Sequence, residues 1–479
     1  MKKVVCFLAL FIPIAVLAQS DVLQWTDAAT WYFFESDGSN EGLNFQPNTP
    51  KKLTPINARF GADGLKESSF VFGGKLGVHG GIFEQSRGAL FGPIEHTKSA
   101  VMGARGTLAA EAGNEKQKLS VWTDFGANTQ MDELGFARFG VRYQRAISEW
   151  LNVTAAVDKS HFGYGVRGLF LSRDATAHPF TAVQVNMGNV SVVNQFGFLG
   201  VNPESKTEID YTLDGITAAK ENRSFYASHA VEWQIVDNLS LLLYDAVVWS
   251  AQDGEHYRGF EPLYLNPFGF YRSLEFSVGS SDNALLGMSA KWNTPYGFEL
   301  YGSGLLDEFL LSEIKAGNGW WGNKFALQGG VRKNSKNTLL GVEAVLVRPF
   351  TYSHGKPGQA FVSGGRPLGA KFGAGYTESL VYGVYNKDNA FVRVQMGFAW
   401  QGMEEGADPS NNFRSSEYGH TLLGEEPRLI LHFRGETNLL TLNSGMSVNG
   451  TVETWYNNDP LDCYFFFGVN ISSAFGRYF

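Results

Sequence analysis

The sequence predicts an all-β protein: a transmembrane antiparallel β-barrel of about 18 strands with long outer loops. Three observations carry that expectation. The chain opens on an export leader, holds no long apolar run behind it, and ends on an aromatic segment that alternates with a period of two.

The leader is read over residues 1–18. Lys2 and Lys3 give it a positive start, Val4 to Leu17 an apolar stretch, and Leu17-Ala18 before Gln19 a cleavage site. Retention as an uncleaved anchor is the alternative. Cys6 lies within the apolar stretch and not after it, so it is not placed as a lipid acceptor. Further along, no segment reaches the roughly 18 uninterrupted apolar residues of a membrane helix. An exported chain of this kind is either soluble or a barrel, the other structure that pairs its whole backbone within lipid.

The last residues favour the barrel. Phe465, Phe467, Val469, Ile471, Phe475 and Phe479 form one alternating set, and Gly468, Asn470, Ser472, Ala474 and Gly476 the other. One apolar and one small polar face suit a strand between lipid and a wet interior. A buried edge strand of a secreted sandwich is the alternative. The terminal Phe resembles the signal that outer-membrane barrels present to their assembly machinery. That machinery and outer-membrane lipid are therefore expected partners.

Composition narrows the function. With 39 Lys+Arg against 47 Asp+Glu, the net charge is −8, so no basic surplus exists to neutralise nucleic-acid phosphates. Two cysteines, of which only Cys463 follows the leader, make no disulfide scaffold. An apolar content of 44% excludes a disordered chain. The 56 glycines and 38 phenylalanines against 16 prolines fit barrel walls.

Eight short polar segments read as tight turns: 113–116, 149–152, 188–189, 237–238, 293–297, 334–337, 386–389 and 442–445. Their Gly, Asn and Asp tolerate the backbone that hairpins require. Longer irregular stretches lie near 160–179, 201–222, 251–282, 349–376 and 403–426. Eight turns with both chain ends on their side imply about 18 strands. In 391–400, Arg393 and Gln395 take one face and Val392, Val394, Met396 and Phe398 the other; 338–347 alternates less cleanly. Residues 19–67 show no hairpin and are read as a periplasmic segment or plug, and 68–479 as the barrel.

Three blocks carry a family resemblance. The first is Lys159-Ser160-His161-Phe162-Gly163-Tyr164-Gly165-Val166-Arg167-Gly168-Leu169-Phe170-Leu171-Ser172-Arg173-Asp174, closed by His178-Pro179-Phe180. The second runs from Arg258-Gly259-Phe260 through Tyr264-Leu265-Asn266-Pro267 and Arg272-Ser273-Leu274-Glu275-Phe276 to Ser281-Asp282-Asn283-Ala284-Leu285-Leu286-Gly287. The third joins Leu305-Leu306-Asp307-Glu308-Phe309, Lys315-Ala316-Gly317-Asn318-Gly319-Trp320-Trp321-Gly322-Asn323-Lys324 and Arg348-Pro349-Phe350-Thr351-Tyr352-Ser353-His354. Together these resemble the gliding motility protein RemB family of Bacteroidetes and, more distantly, the capsule-assembly Wzi family of outer-membrane barrels. The resemblance implies a barrel linked to surface gliding or to surface polysaccharide, with no established enzymatic activity. Arg173 standing before Asp174, and the lack of histidines in 364–370, depart from the family pattern.

The candidate ligand-binding residues are Trp320, Trp321, Arg167, Arg173, Asp174, Arg258, Arg272 and Asp307. The Trp faces can stack on sugar rings, or can pack a loop on the rim. The charges can hold sugar hydroxyls, or can pair with one another and with Glu275, Asp282 and Glu308 to fix loops. Asp307 and Glu308, as neighbours on a strand, are expected on opposite faces and so make a poor catalytic pair. The nine histidines show no metal-ligand spacing, and no cofactor is expected. Gly163, Gly165 and Gly168 match a dinucleotide fingerprint but lack its βαβ setting and read as loop glycines.

The leading expectation is a non-enzymatic outer-membrane component that supports gliding motility, surface attachment or surface polysaccharide assembly, engaging a polysaccharide, a surface adhesin or a secretion component. The alternative is a channel for small solutes.

Overall fold

The computed structural model describes residues 69–475, apart from 84–98, 115, 129–134, 201–222, 254–255, 267–268, 279–281, 336, 365, 388–389, 442–445 and 459–460. The leader, the segment 19–67 and the loop 201–222 lie outside the described residues.

The all-β expectation holds. Besides two short two-stranded pairings in the connections, the strands are β1 (Ser69–Phe83), β2 (Ser99–Asn114), β3 (Gln117–Asn128), β4 (Gly135–Ala146), β5 (Leu151–Asp158), β6 (His178–Met187), β7 (Val190–Leu199), β8 (Ser224–Val236) and β9 (Leu239–Ser250). They continue as β10 (Asn283–Asn293), β11 (Phe298–Glu308), β12 (Lys324–Ser335), β13 (Thr338–Val347), β14 (Tyr376–Lys387), β15 (Ala390–Gln401), β16 (Arg428–Thr441), β17 (Met446–Asn458) and β18 (Leu461–Phe475). Two helices, α1 (Tyr271–Val278) and α2 (Leu311–Ala316), lie in the longer connections.

These strands form one 18-stranded sheet in which each pairs antiparallel with the next. β18 also pairs antiparallel with β1, from Phe70↔Phe475 to Phe83↔Asp462. Each of the eight turn segments falls between two consecutive strands that pair with each other, as in Met187↔Val190 and Lys387↔Ala390. The long connections all leave from the opposite end.

The strands are inside-out relative to a soluble protein. On β15, Val392, Val394, Met396, Phe398 and Trp400 are exposed while Arg393 is buried. On β13, Leu340 is 61% exposed and Glu343 only 3%. Phe467 and Val469 of β18 are likewise exposed on either side of a buried Gly468. A strand has a side-chain period of two, so one register fixes which set faces in. Here the charged set faces in.

Parts of the chain occupy the inner side of the sheet. The segment 159–177, between β5 and β6, buries Phe162, Leu169, Phe170 and Leu171 in a cluster with Tyr226, Tyr244, Leu285 and Leu305 of the wall. Phe170 stacks on Tyr244 at 4.8 Å. A Cβ at Gly287 would lie 2.2 Å from the Phe170 ring, so glycine there lets the ring reach the wall. Burying one such ring is worth about 1.5–3 kcal/mol. The connection 348–375 adds Tyr352, Phe361 and Leu368 to the same cluster.

Candidate functional site

The stretch near 160–179 is read in the sequence as one of the long outer connections, but the structure starts a strand at His178 and turns residues 159–177 inward. Gly163, at φ 108°, takes a conformation that other residues rarely adopt. The Phe162 amide donates to the Leu171 carbonyl at 2.9 Å, closing the segment into a compact bend. Gly165 lies so near the Gln328 amide that a Cβ would stand 2.1 Å from it. All three glycines of the apparent fingerprint sit in this bend.

The bend is held at its tip by two wall carboxylates. Glu343 on β13 accepts from the Val166 amide at 2.7 Å, the Arg167 amide at 2.8 Å and the Tyr301 hydroxyl at 2.7 Å. Glu378 on β14 takes the Arg167 guanidinium fork to fork, Nε at 2.9 Å and Nη2 at 2.7 Å. His432 on β16 lies 2.8 Å from the same carboxylate. Gln328 donates both to the Arg167 carbonyl, at 2.5 Å, and to Glu343, at 2.9 Å. Burial opposes the charge on Arg167, but Glu378, Asp174 and Glu343 outweigh it and raise its pKa above the ordinary value. For Asp174, burial pulls upward while Arg167 at 3.6 Å, with Lys371, lowers it below the usual range.

The segment is rooted on β5 and β6, yet its tip binds β14. Along the sheet of eighteen strands, β14 stands nine places from β5 and eight from β6. On the way Tyr164 donates to Glu232 of β8 at 2.8 Å, and Arg332 of β12 donates to the Tyr164 carbonyl at 3.3 Å. Tyr352 donates to the Leu169 carbonyl at 2.8 Å, so the connection 348–375 covers the bend.

The remaining candidates fall in two other places. Arg258 pairs with the buried Asp282 at 2.7 Å, where Tyr264 at 2.6 Å and Gln359 at 3.1 Å also donate. Asp307 is buried and accepts from the Tyr352 amide at 2.7 Å. Arg272 is exposed on α1, and Arg173 is half-buried, its charge acting on His161. The Trp pair is half-buried: Trp321 donates through its indole to Glu417, with Arg414 3.7 Å and Lys324 4.7 Å from its ring centroid. Trp321 thereby ties the connection 309–323 to the connection 402–427.

One expectation is corrected. Asp307 and Glu308 do not alternate, because a bulge between Leu306 and Glu308 sets Glu308 opposite Lys324. Lys324 is fully buried and lies 3.2 Å from Glu308, so both carboxylates turn to the interior side. Each is engaged in holding the wall or a loop. Among the described residues, no group of three or more His, Cys, Asp or Glu could hold a metal ion.

Sequence reading missed Glu343, Glu378, Gln328 and His432. The signal was a lone polar residue at an inward position of an otherwise apolar strand, as Glu343 is between Val342 and Ala344.

No family model matches the chain, and no curated protein matches it in sequence. It is similar in structure to Wzi of Escherichia coli, an outer-membrane protein involved in group 1 capsule assembly and described as a carbohydrate-binding β-barrel. The TM-score is 0.53 at 12% identity, covering 84% of each chain. OprD of Pseudomonas aeruginosa gives a TM-score of 0.42 at 11% identity, over 86% of this chain and 97% of that one. OccK5 of the same organism gives 0.44 at 8%, over 86% and 99%. The resemblance to the RemB family has no counterpart in these matches. The likeness to Wzi shows the fold: this chain is similar in architecture to outer-membrane β-barrels.

Proposed function

We propose that the protein is a closed barrel of eighteen strands in the outer membrane that works as a non-enzymatic surface scaffold, not as an open conduit. It supports gliding motility, surface attachment or surface polysaccharide assembly, the classes that the family resemblance implies. The exposed apolar strand faces are its contact with lipid. One observation carries the scaffold reading: the 159–177 bend crosses the interior and is clasped to the far wall through Arg167, Glu343 and Glu378. Such a barrel presents its outer connections on a rigid base. The connections engage a polysaccharide, an adhesin or a secretion component.

Two measurements test the reading. In planar bilayers the purified protein is expected to give no stable small-solute conductance; regular open-channel steps would favour the channel alternative. In cells, loss of the protein is expected to reduce spreading, surface polymer or adhesin display. Unchanged values for all three would overturn the scaffold role. Binding of the cell's own surface polysaccharide, compared with a Trp320→Ala/Trp321→Ala variant, separates a polymer-holding barrel from one that engages a protein.

A further inference from the structure

The connection between β11 and β12 carries an apolar surface with no partner among the described residues. Phe309, Leu310, Leu311 and Ile314 are 46, 46, 51 and 40% exposed. Leu311 and Ile314 are three apart on α2 and share one face. Part of this connection is held by its own polar groups: Glu313 accepts from Asn318, Asn318 from the Trp320 amide, and Asn323 from the Leu310 amide, while Ser312 and Lys315 are exposed. Through Trp321 the connection is joined to the connection 402–427. These bonds leave Phe309, Leu310, Leu311 and Ile314 exposed.

The apolar side continues the outer face of the wall. Leu286 of β10 and Leu306 of β11 lie directly opposite each other near the strand ends, and both are exposed. Phe309 follows Leu306 by three residues. In the neighbouring connection, before α1, Phe270 is 64% exposed. Exposed apolar residues on the strand ends and on the loops beyond them suit the same solvent. A short amphipathic helix with outward leucine and isoleucine suits the boundary of headgroup and acyl chain.

We infer that residues 309–316 form an interfacial collar that seats in the outer leaflet and extends the lipid contact of the barrel on its β10–β12 side. The inference rests on the membrane reading. Anchoring this connection in lipid would fix, through Trp321 and Glu417, the attitude of the 402–427 connection above the surface.

The test uses the full chain with Cys6 and Cys463 replaced by Ser, reconstituted in phospholipid vesicles. Single nitroxide labels are placed at Leu311→Cys and Ile314→Cys, with Met288→Cys on the wall of β10 and Tyr418→Cys in the 402–427 connection as references. Collision with oxygen and with a water-soluble nickel chelate is then read at each site. The expected result is oxygen dominance at 311, 314 and 288, and chelate dominance at 418. Oxygen dominance at 288 with chelate dominance at 311 and 314 overturns the collar and leaves the membrane barrel standing. Chelate dominance at 288 as well overturns the membrane reading and the collar with it.

Discussion

The guanidinium of Arg167 and the carboxylate of Glu378 meet in a two-pronged pair at 2.9 and 2.7 Å, although 211 residues separate them. Arg167 is on the inward bend and Glu378 on a strand eight to nine places along the sheet from its root, so one ion pair joins elements far apart in the strand order. Both side chains are almost wholly buried. A buried pair of this kind contributes little over an apolar replacement, but removing one partner strands the other charge.

Replacing Arg167 by Ala is therefore expected to cost about 3–5 kcal/mol of stability. Lysine is expected to recover only part of this, since a point charge cannot reproduce the fork. Urea unfolding in detergent micelles, followed by tryptophan emission, measures both. An alanine variant as stable as the parent would show that the pair does not hold the bend.

Glu343→Gln tests the other clasp. The carboxylate accepts from two consecutive backbone amides, a tyrosine and a glutamine, whereas an amide offers one acceptor oxygen. At least one buried donor loses its partner, at about 1–3 kcal/mol. Hydrogen exchange at the Val166 and Arg167 amides is expected to speed up, with exchange in the strands distant from the bend little changed.

Gly165→Ala should be destabilising by about 1–3 kcal/mol, the range for forcing volume into a packed site. The added Cβ would press on Gln328, which is held by its own bonds to Arg167 and Glu343. Gly188→Ala is the comparison: its Cβ meets open space, and only the positive φ of 62° opposes it. A smaller loss at Gly188 than at Gly165, read as unfolding midpoints, supports the packing argument.

Acid is expected to loosen the bend. Burial, with Arg173 adding, lowers the pKa of His161 from 6.5 to about 3. The folded protein then binds fewer protons than the unfolded chain between those values, so stability is full above pH 6.5 and falls as pH drops towards 3. The neutral ring donates from Nε2 to the Gly165 carbonyl at 3.1 Å. His161→Gln should flatten the fall of the unfolding midpoint over this window; an unchanged profile would place the acid sensitivity elsewhere.

Trp321→Ala should free the connection 402–427 without disturbing the wall. The lost contact with Arg414 is worth about 0.5–1 kcal/mol. Trypsin is expected to cut after Arg414 faster in the variant, with the unfolding midpoint of the barrel nearly unchanged.

The sequence by itself determined the wall. Period-two alternation in segments such as 391–400, and eight polar turns between them, are local properties that a single strand or hairpin expresses. They sufficed to place the hairpins and to say which face of β15 is apolar. What crosses the interior was decided only by tertiary structure. The 159–177 segment has no period, and its glycines and aromatics suit an outer loop as well as an inner bend. Its inward course depends on acceptors 176 and 211 residues away, Glu343 and Glu378, whose approach is fixed by the sheet as a whole. The bulge that turned Asp307 and Glu308 to one side is of the same kind: an extra residue in one strand is defined only by the partner strand it fails to match. Local alternation is encoded by neighbours in sequence, whereas the occupation of a barrel's interior is a contest among distant groups for the same buried acceptors.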